Sequence, residues 1–286
     1  MRCHFKSFVL ILFLCAISVV YSDAQITTIS SDSNGTSPAN QLSQPHRLPV
    51  RTIIKRPKPI HHEFSFGARL NTDGWSIFVD KGNVKSEDER HSDMFYDIKL
   101  WQLEFSEKKS PKEVKSTNTQ LDPYSGNKPT PFIYGKINNF YTFKIGYGFR
   151  KMIAGKPDPG TVSIHWVGVG GLAVGLLKPY YINAIVNNSP ETIKYSDSNS
   201  SAFLSQTNIV GSAGFSKGLS EIKVIPGLQA KTGLHFDFST NRKTVLAVET
   251  GISGEIYTQN VPLMASQKAV PYFVDLYLSF QFGKRW

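Results

Sequence analysis

The strongest pattern in this sequence is the alternation of apolar and polar positions in its last stretch, Pro271–Trp286. Alternate side chains of a β-strand point to opposite faces, so one face of this stretch is almost wholly apolar. That face carries Tyr272, Val274, Leu276, Leu278, Phe280, Phe282, Lys284 and Trp286. A long apolar face with aromatic residues at both ends is typical of a lipid-facing strand in an outer-membrane β-barrel. A closing strand of a soluble β-sandwich is the alternative, because such strands also alternate.

The same alternation recurs earlier in the chain, with turn-forming residues between the alternating stretches. We expect strands over 64–70, 75–79, 93–105, 139–150, 161–186, 228–238, 246–256 and 272–286. The pattern therefore predicts an all-β fold, an antiparallel transmembrane β-barrel of eight strands. Ten strands are the alternative, reached if 161–186 is two strands and Phe203–Phe215 is another. The alternation breaks near Leu100–Trp101, which predicts a β-bulge there.

The spacing of these strands gives the barrel a direction. With the carboxyl terminus on the periplasmic side, the long segments 106–137, 188–222 and 258–269 fall outside. The short connections 83–92, 151–160 and 239–242 fall inside, and this asymmetry is the one expected of such barrels. A short helix is expected around Ser216–Glu221 within the second long segment.

Charged residues of both signs lie on the face opposite the apolar one. An eight-stranded barrel is just wide enough for side chains to fill it, so these residues predict an interior polar network rather than an open pore. Its expected members are Lys144, Arg150, Lys231, His235, Asp237, Glu249 and Glu255. A one-residue slip of strand 139–150 would turn Lys144 toward lipid at a cost of about 2–4 kcal/mol, which fixes the register.

The start of the chain predicts export. A charged beginning, an apolar run over Phe8–Tyr21 and small residues before Gln25 predict a signal peptide, 1–24, cleaved after Ala24. Residues 25–61 are polar, then basic and proline-rich, and predict a disordered periplasmic leader, followed by the barrel at 62–286. Both cysteines lie in the predicted signal, so the mature chain would have no disulfide.

The basic charge fits an anionic surface better than nucleic acid. The formal net charge of +10 becomes +9 without the signal, since 30 basic residues then face 21 acidic ones. Export argues against a nucleic-acid partner, whereas lipid headgroups are close to a membrane barrel. The longest glycine-rich apolar run, Trp166–Leu177, is too short for a membrane-spanning helix.

Three segments carry a family resemblance. PFIYGKINNFYTFKIGYGFR (131–150), GLLKPYY (175–181) and the terminal FGKRW (282–286) resemble a family of small, largely uncharacterised outer-membrane β-barrel proteins of Gram-negative bacteria. The resemblance spans about 62–286 and implies fold and location, but no catalytic motif. The aromatic residues of the terminal strand also resemble the signal read by the barrel-assembly machinery, here Phe280, Phe282 and Trp286.

Motifs for chemistry are weak. Gly168–Ala173 matches a dinucleotide fingerprint in form, but no helix follows it, so small residues on a crowded barrel strand explain it better. Outer-membrane hydrolases use serine, histidine and acidic residues, and His165 and His235 fall on the inner face with Ser163 and Ser253 nearby. An interior hydrogen bond is the favoured role for both histidines. His61–His62 has no second ligand pair, so no metal site is predicted.

Together these patterns predict a structural or loop-mediated binding protein of the outer membrane, not an enzyme, with no cofactor. A barrel hydrolase acting on lipid or lipopolysaccharide and a narrow solute channel are the alternatives. The expected partners are outer-membrane lipid and lipopolysaccharide, the barrel-assembly machinery and a periplasmic partner for the basic leader.

Overall fold

The computed structural model describes residues 60–85, 97–118, 130–155, 161–241 and 243–286 of the chain. These residues belong to one compact unit, Arg56–Trp286. The predicted signal peptide and nearly all of the predicted leader lie outside the described residues, so both stay predictions.

Eight long strands form the body of the molecule, and their apolar–polar alternation is the reason each is a strand. They are β1 His62–Asn71, β2 Gly74–Lys85, β3 Asp97–Lys108, β6 Asn138–Ala154, β7 Ser163–Pro179, β11 Lys223–Asp237, β12 Thr244–Val261 and β13 Val270–Arg285. Five short strands complete the described set: β4 Lys115–Ser116, β5 Phe132–Ile133, β8 Tyr181–Val186, β9 Ser189–Lys194 and β10 Ile209–Ser212. A single turn of α-helix, α1, covers Ser200–Phe203.

The eight long strands close into an antiparallel barrel in the order β1-β13-β12-β11-β7-β6-β3-β2. The seam is the β1–β13 pair, which runs from Glu63 opposite Arg285 to Asn71 opposite Tyr277. The predicted fold with eight strands is confirmed. The connections after β2, β6 and β11 define the turn end, which also holds His62 and Trp286; those after β3, β7 and β12 define the loop end.

Three details of the sequence prediction are wrong. The expected single strand 161–186 is two strands, because β7 ends at Pro179 and the rest is β8, outside the barrel. The ten-strand alternative fails because β8 and β10 lie in a separate three-stranded sheet, in the order β10-β8-β9, and not in the barrel. The bulge near Leu100–Trp101 is absent, since β3 pairs with both neighbours there without a shift of register. Leu100 simply points into the barrel, where it packs on other apolar residues, while Trp101 points outward.

The long connections at the loop end fold together as a cap. The cap comprises the described parts of 109–137, 180–222 and 262–269, including β8–β10 and α1. The predicted short helix in the second connection is a 3-10 turn at Leu219–Glu221. No helix among the described residues has both the length and the apolar character to cross a membrane.

Candidate functional site

The outer wall of the barrel is an apolar belt. Large apolar side chains at alternate positions of every described barrel strand are exposed, among them Phe66, Ile77, Leu103, Phe143, Ile145, Leu172, Leu228, Ile252, Leu276 and Phe280. All four tryptophans also face outward: Trp75 near the loop end, and Trp101, Trp166 and Trp286 toward the turn end. Aromatic residues at both margins of an apolar band are the pattern expected where a barrel meets the two surfaces of a bilayer.

The lumen has the opposite character, because the inward positions of the same strands carry charges. At the turn end, Glu63 accepts bonds from Arg150 at 2.6 Å and from Arg285 at 2.7 Å. Arg285 reaches on to Asp237 at 2.6 Å. All four side chains are buried, and their ion pairs join β1, β6, β11 and β13 across the barrel.

A second group of ion pairs fills the middle of the lumen. Glu104 lies 2.6 Å from Arg69 and 2.7 Å from Lys144, and Lys144 also binds Glu255 at 2.8 Å. Charges removed from water are costly unless they are paired, so each of these groups depends on its partners.

The Arg69 guanidinium also lies between two aromatic rings. The Phe78 ring centroid is 4.9 Å away and that of Tyr277 is 4.6 Å away, which adds cation–π attraction to the Glu104 pair. The Tyr277 hydroxyl donates to Glu249 at 3.0 Å. Glu249 is also 3.1 Å from Lys231 and 3.3 Å from the His235 ring.

At the loop end, Lys108 forms ion pairs with three acidic residues. Its Nζ lies 2.5 Å from Asp275, 3.0 Å from Asp73 and 3.2 Å from Glu255. Because Glu255 also binds Lys144, the loop-end and middle groups are one continuous network.

Apolar clusters occupy the lumen beside the charges. Phe140, Ala173, Leu177, Ile225, Tyr257, Val261, Leu263 and Met264 form one cluster near the loop end. Ile98, Leu100, Val167 and Val169 form another nearer the turn end. Buried charged and apolar side chains thus occupy the lumen at the turn end, in the middle and at the loop end, which fits the size of an eight-stranded barrel.

All seven residues proposed for the interior network lie buried inside the barrel in the structure. Seven further buried residues are equally central to the network but were not among those predicted: Glu63, Arg69, Asp80, Glu104, Lys108, Asp275 and Arg285. The apolar–polar alternation alone could have identified these residues as buried, since each lies on the inward face of its strand. The sequence could not show which residues pair across the lumen, because the pairing depends on how the barrel closes.

The serines and histidines considered for hydrolysis are not arranged for it. The Ser253 hydroxyl donates to Asp275 at 2.7 Å, and the Ser163 hydroxyl has no hydrogen-bond partner among the described residues. The rings of His165 and His235 are 6.0 Å apart, and both are fully buried. A serine nucleophile needs a histidine within hydrogen-bond reach, and neither serine has that bond.

The cap has an apolar core of its own. Its buried residues are Phe132, Ile182, Ala184, Phe203 and Ile209. The Asn118 side chain fastens the first long connection to the second by donating to the backbone oxygens of Thr207 at 2.9 Å and Ile209 at 3.0 Å. The third connection joins through Ala265, whose N–H donates to the Gly135 oxygen at 2.8 Å. The cap is thus a packed structure rather than a set of independent loops.

A polar cluster lies on the cap surface beside β8. Glu221 accepts bonds from Lys194 and, at 2.6 Å, from the Tyr181 hydroxyl. The bond from Lys194, followed by that from Tyr181, lowers the pKa of Glu221. The bond to Glu221 raises the pKa of Lys194 and that of Tyr181.

The three residues proposed as the barrel-assembly signal lie on the outer wall at the turn end. Phe280, Phe282 and Trp286 are all exposed on one face of β13 and its end. Within the described ranges, no group of three or more histidine, cysteine or acidic residues is arranged to hold a metal ion.

No protein-family model and no curated protein matches the chain. Among solved structures, it is similar to Ail, the attachment invasion locus protein of Yersinia pestis, in complex with the heparin analogue sucrose octasulfate. That likeness has 10% identity and a TM-score of 0.36 over 80% of this chain and 100% of that one. Neisserial surface protein A gives 9% identity and a TM-score of 0.32 over 79% and 95% of the two chains. The eight-stranded barrel rests on the strand pairing described above, since TM-scores this low decide nothing.

Proposed function

We propose that this protein is an outer-membrane β-barrel of a Gram-negative bacterium that acts through its cap, as a structural or binding protein, and does not transport solutes through its lumen. The observation that supports this most strongly is the reversal of polarity between wall and lumen. Exposure of this apolar belt to water would raise the free energy of the folded protein. In a bilayer the belt contacts lipid chains instead, at little cost in free energy.

A filled lumen leaves the cap as the part available to partners outside the cell. Its edge strand β9 and its surface residues are exposed, while its core joins the first two long connections. Lipopolysaccharide and outer-leaflet lipid would surround the loop end in this placement. Phe280, Phe282 and Trp286 would be read by the barrel-assembly machinery during insertion, and the basic leader would face periplasmic partners.

The first experiment is fractionation of cells that express the full chain, followed by electrophoresis with and without boiling. Recovery in the outer membrane with a mobility shift on boiling is expected of a closed barrel. Recovery in a soluble fraction, or a mobility that boiling does not change, would contradict the membrane placement.

Orientation is tested with single cysteines, because both natural cysteines lie in the predicted signal peptide. Thr192→Cys in β9 of the cap should react with a membrane-impermeant maleimide on intact cells. Thr244→Cys at the turn end should react only after the outer membrane is opened. The opposite result would invert the barrel and remove the cap from the cell surface.

Conductance in planar bilayers separates this proposal from a channel. We expect inserted wild-type protein to give no stepwise current, because side chains fill the lumen. Regular current steps from heat-modifiable protein would instead favour a narrow channel.

A further inference from the structure

A shallow groove of about 610 Å³ lies on the outer wall where β6, β7 and β11 meet. Tyr147, Phe149 and Trp166 form its sides, and Gly168 and Gly170 form its floor. Its volume falls within the roughly 300–1,000 Å³ of small-molecule sites.

Missing side chains on β7 create this groove. A Cβ on Gly170 would meet no atom closer than the Gln229 backbone oxygen at 3.9 Å, so the space above it is open. A Cβ on Gly168 would lie 2.8 Å from the Phe149 ring, which leans over that position. Phe149 also packs edge-to-face on Trp166, with ring centroids 5.2 Å apart. The groove is therefore an apolar trough with aromatic walls.

Two lysines lie at the turn-end side of this groove. Lys99 lines it directly and is opposite Phe149 on the neighbouring strand, while Lys151 is opposite Trp166. Diagonal neighbours of this kind are about 7–8 Å apart, so one anionic group can reach both. Both lysines are exposed, and neither forms an ion pair with any described residue.

By contrast, another outward-facing lysine does form an ion pair. Lys109 at the loop end lies 3.2 Å from Glu107, which also accepts from the Trp75 indole at 2.7 Å. The second wall groove, of about 520 Å³, is lined by residues such as Phe66, Ala68 and Leu103 but by no lysine. Of these two wall grooves, the β6–β7–β11 groove is the one that combines an apolar trough with cations at its end.

We propose that this groove binds an anionic phospholipid from the membrane leaflet at the turn end, with an acyl chain along Gly168 and Gly170 and the phosphate between Lys99 and Lys151. The aromatic residues beside the lysines place the two ammonium groups at the depth of lipid headgroups. This inference rests on the proposed membrane placement. It adds a specific lipid site to that placement, with both a chain-binding part and a charge-binding part.

The test uses the full chain in nanodiscs that contain equal amounts of phosphatidylglycerol and phosphatidylcholine, with retained lipid measured by native mass spectrometry. Wild type should retain phosphatidylglycerol in excess. In K99Q/K151Q the preference should fall by about 25-fold, since each basic residue near an anionic surface contributes roughly fivefold. The matched control is Lys109→Gln with Lys223→Gln at the loop end, which should leave the preference unchanged.

A second variant tests the groove itself. Gly170→Phe fills the trough and keeps both lysines, and it should reduce retention of phosphatidylglycerol. Gly254→Phe is its control, because Gly254 also faces outward and a Cβ there meets nothing closer than 4.0 Å. Gly254 does not line the groove.

The outcomes are distinct. An unchanged preference in K99Q/K151Q overturns the proposal, as does an equal effect of the loop-end control. Unchanged retention in Gly170→Phe overturns the chain-binding part and leaves only attraction by surface charge. A wild-type chain that fails to insert, or that lacks heat-modifiable mobility, contradicts the membrane placement instead.

Discussion

The barrel and the cap bury opposite kinds of side chains. The barrel places ion pairs such as Glu104–Lys144 inside and apolar residues outside, whereas the cap buries Phe203 and Ile209 and exposes the polar strand β9. One chain follows both rules within a few residues, since β7 ends at Pro179 and β8 begins at Tyr181. In the proposed membrane placement, this difference follows from the surrounding solvent, hydrocarbon for the barrel and water for the cap, which decides which side chains are buried.

The largest effect should come from breaking a lumen charge. Glu104→Gln leaves Arg69 and Lys144 buried with one acceptor fewer, and removing one partner of a buried ion pair costs about 3–5 kcal/mol. The measurement is urea unfolding of the barrel in lipid vesicles. Glu191→Gln, on an exposed cap strand, is the matched control and should change nothing. Equal stabilities of the two variants would show that lumen charges do not hold the barrel together.

Reversing polarity on the outer wall should have a smaller but still large effect. Ile145→Lys puts a charge on the exposed middle of β6, which costs about 2–4 kcal/mol if lipid surrounds it. Thr192→Lys on the cap should be neutral, because water surrounds that position. The same vesicle assay compares them, and a neutral Ile145→Lys would mean that water, not lipid, covers the wall.

A conservative change in the cap core should act locally. Ile182→Val removes one buried methylene and should weaken the cap by about 0.5–1.5 kcal/mol. Faster hydrogen exchange in β8–β10, with an unchanged barrel, would show this. Ile252→Val, the same change on the exposed wall, is the control and should leave cap exchange as it is. A comparable loss in the barrel would show that the two regions unfold together.

The smallest effect concerns the pH response of the cap surface. The pKa of Glu221 is lowered from 4.5 in the folded cap, so its bonds with Lys194 and Tyr181 stabilise the cap above that pH. This contribution is lost as the pH falls through the lowered value. Amide exchange in β8 and β9, corrected for its intrinsic pH dependence, should therefore rise in acid. Glu221→Gln should remove most of that rise; an identical rise in the variant would exclude Glu221 as its source.

The barrel strands could be predicted from the sequence because the apolar–polar alternation that marks them is a local pattern. The inward and outward faces of β6 and β13 follow from a period of two, and Lys144 fixes the register of β6. The cap was not readable in the same way. β8 continues the apolar run of β7, and β9 is almost wholly polar, so neither marks its own sheet.

The lumen network could be predicted from the sequence only in part. Parity identifies inward residues such as Arg69 and Glu104, but their 2.6 Å contact joins two strands that are not neighbours. That contact depends on the curvature and stagger of the closed barrel, which no short sequence pattern encodes.

The β1–β13 seam has a consequence for timing during biogenesis. Glu63 and Arg285 meet although 222 positions separate them, so the cylinder can shut only once its final strand has arrived. Until then the unfinished sheet has two free edges that another copy could join. Distant pairings also form slowly, which lengthens this vulnerable interval. Closure of the barrel therefore favours an incomplete chain that is kept apart from other copies until the two edges meet.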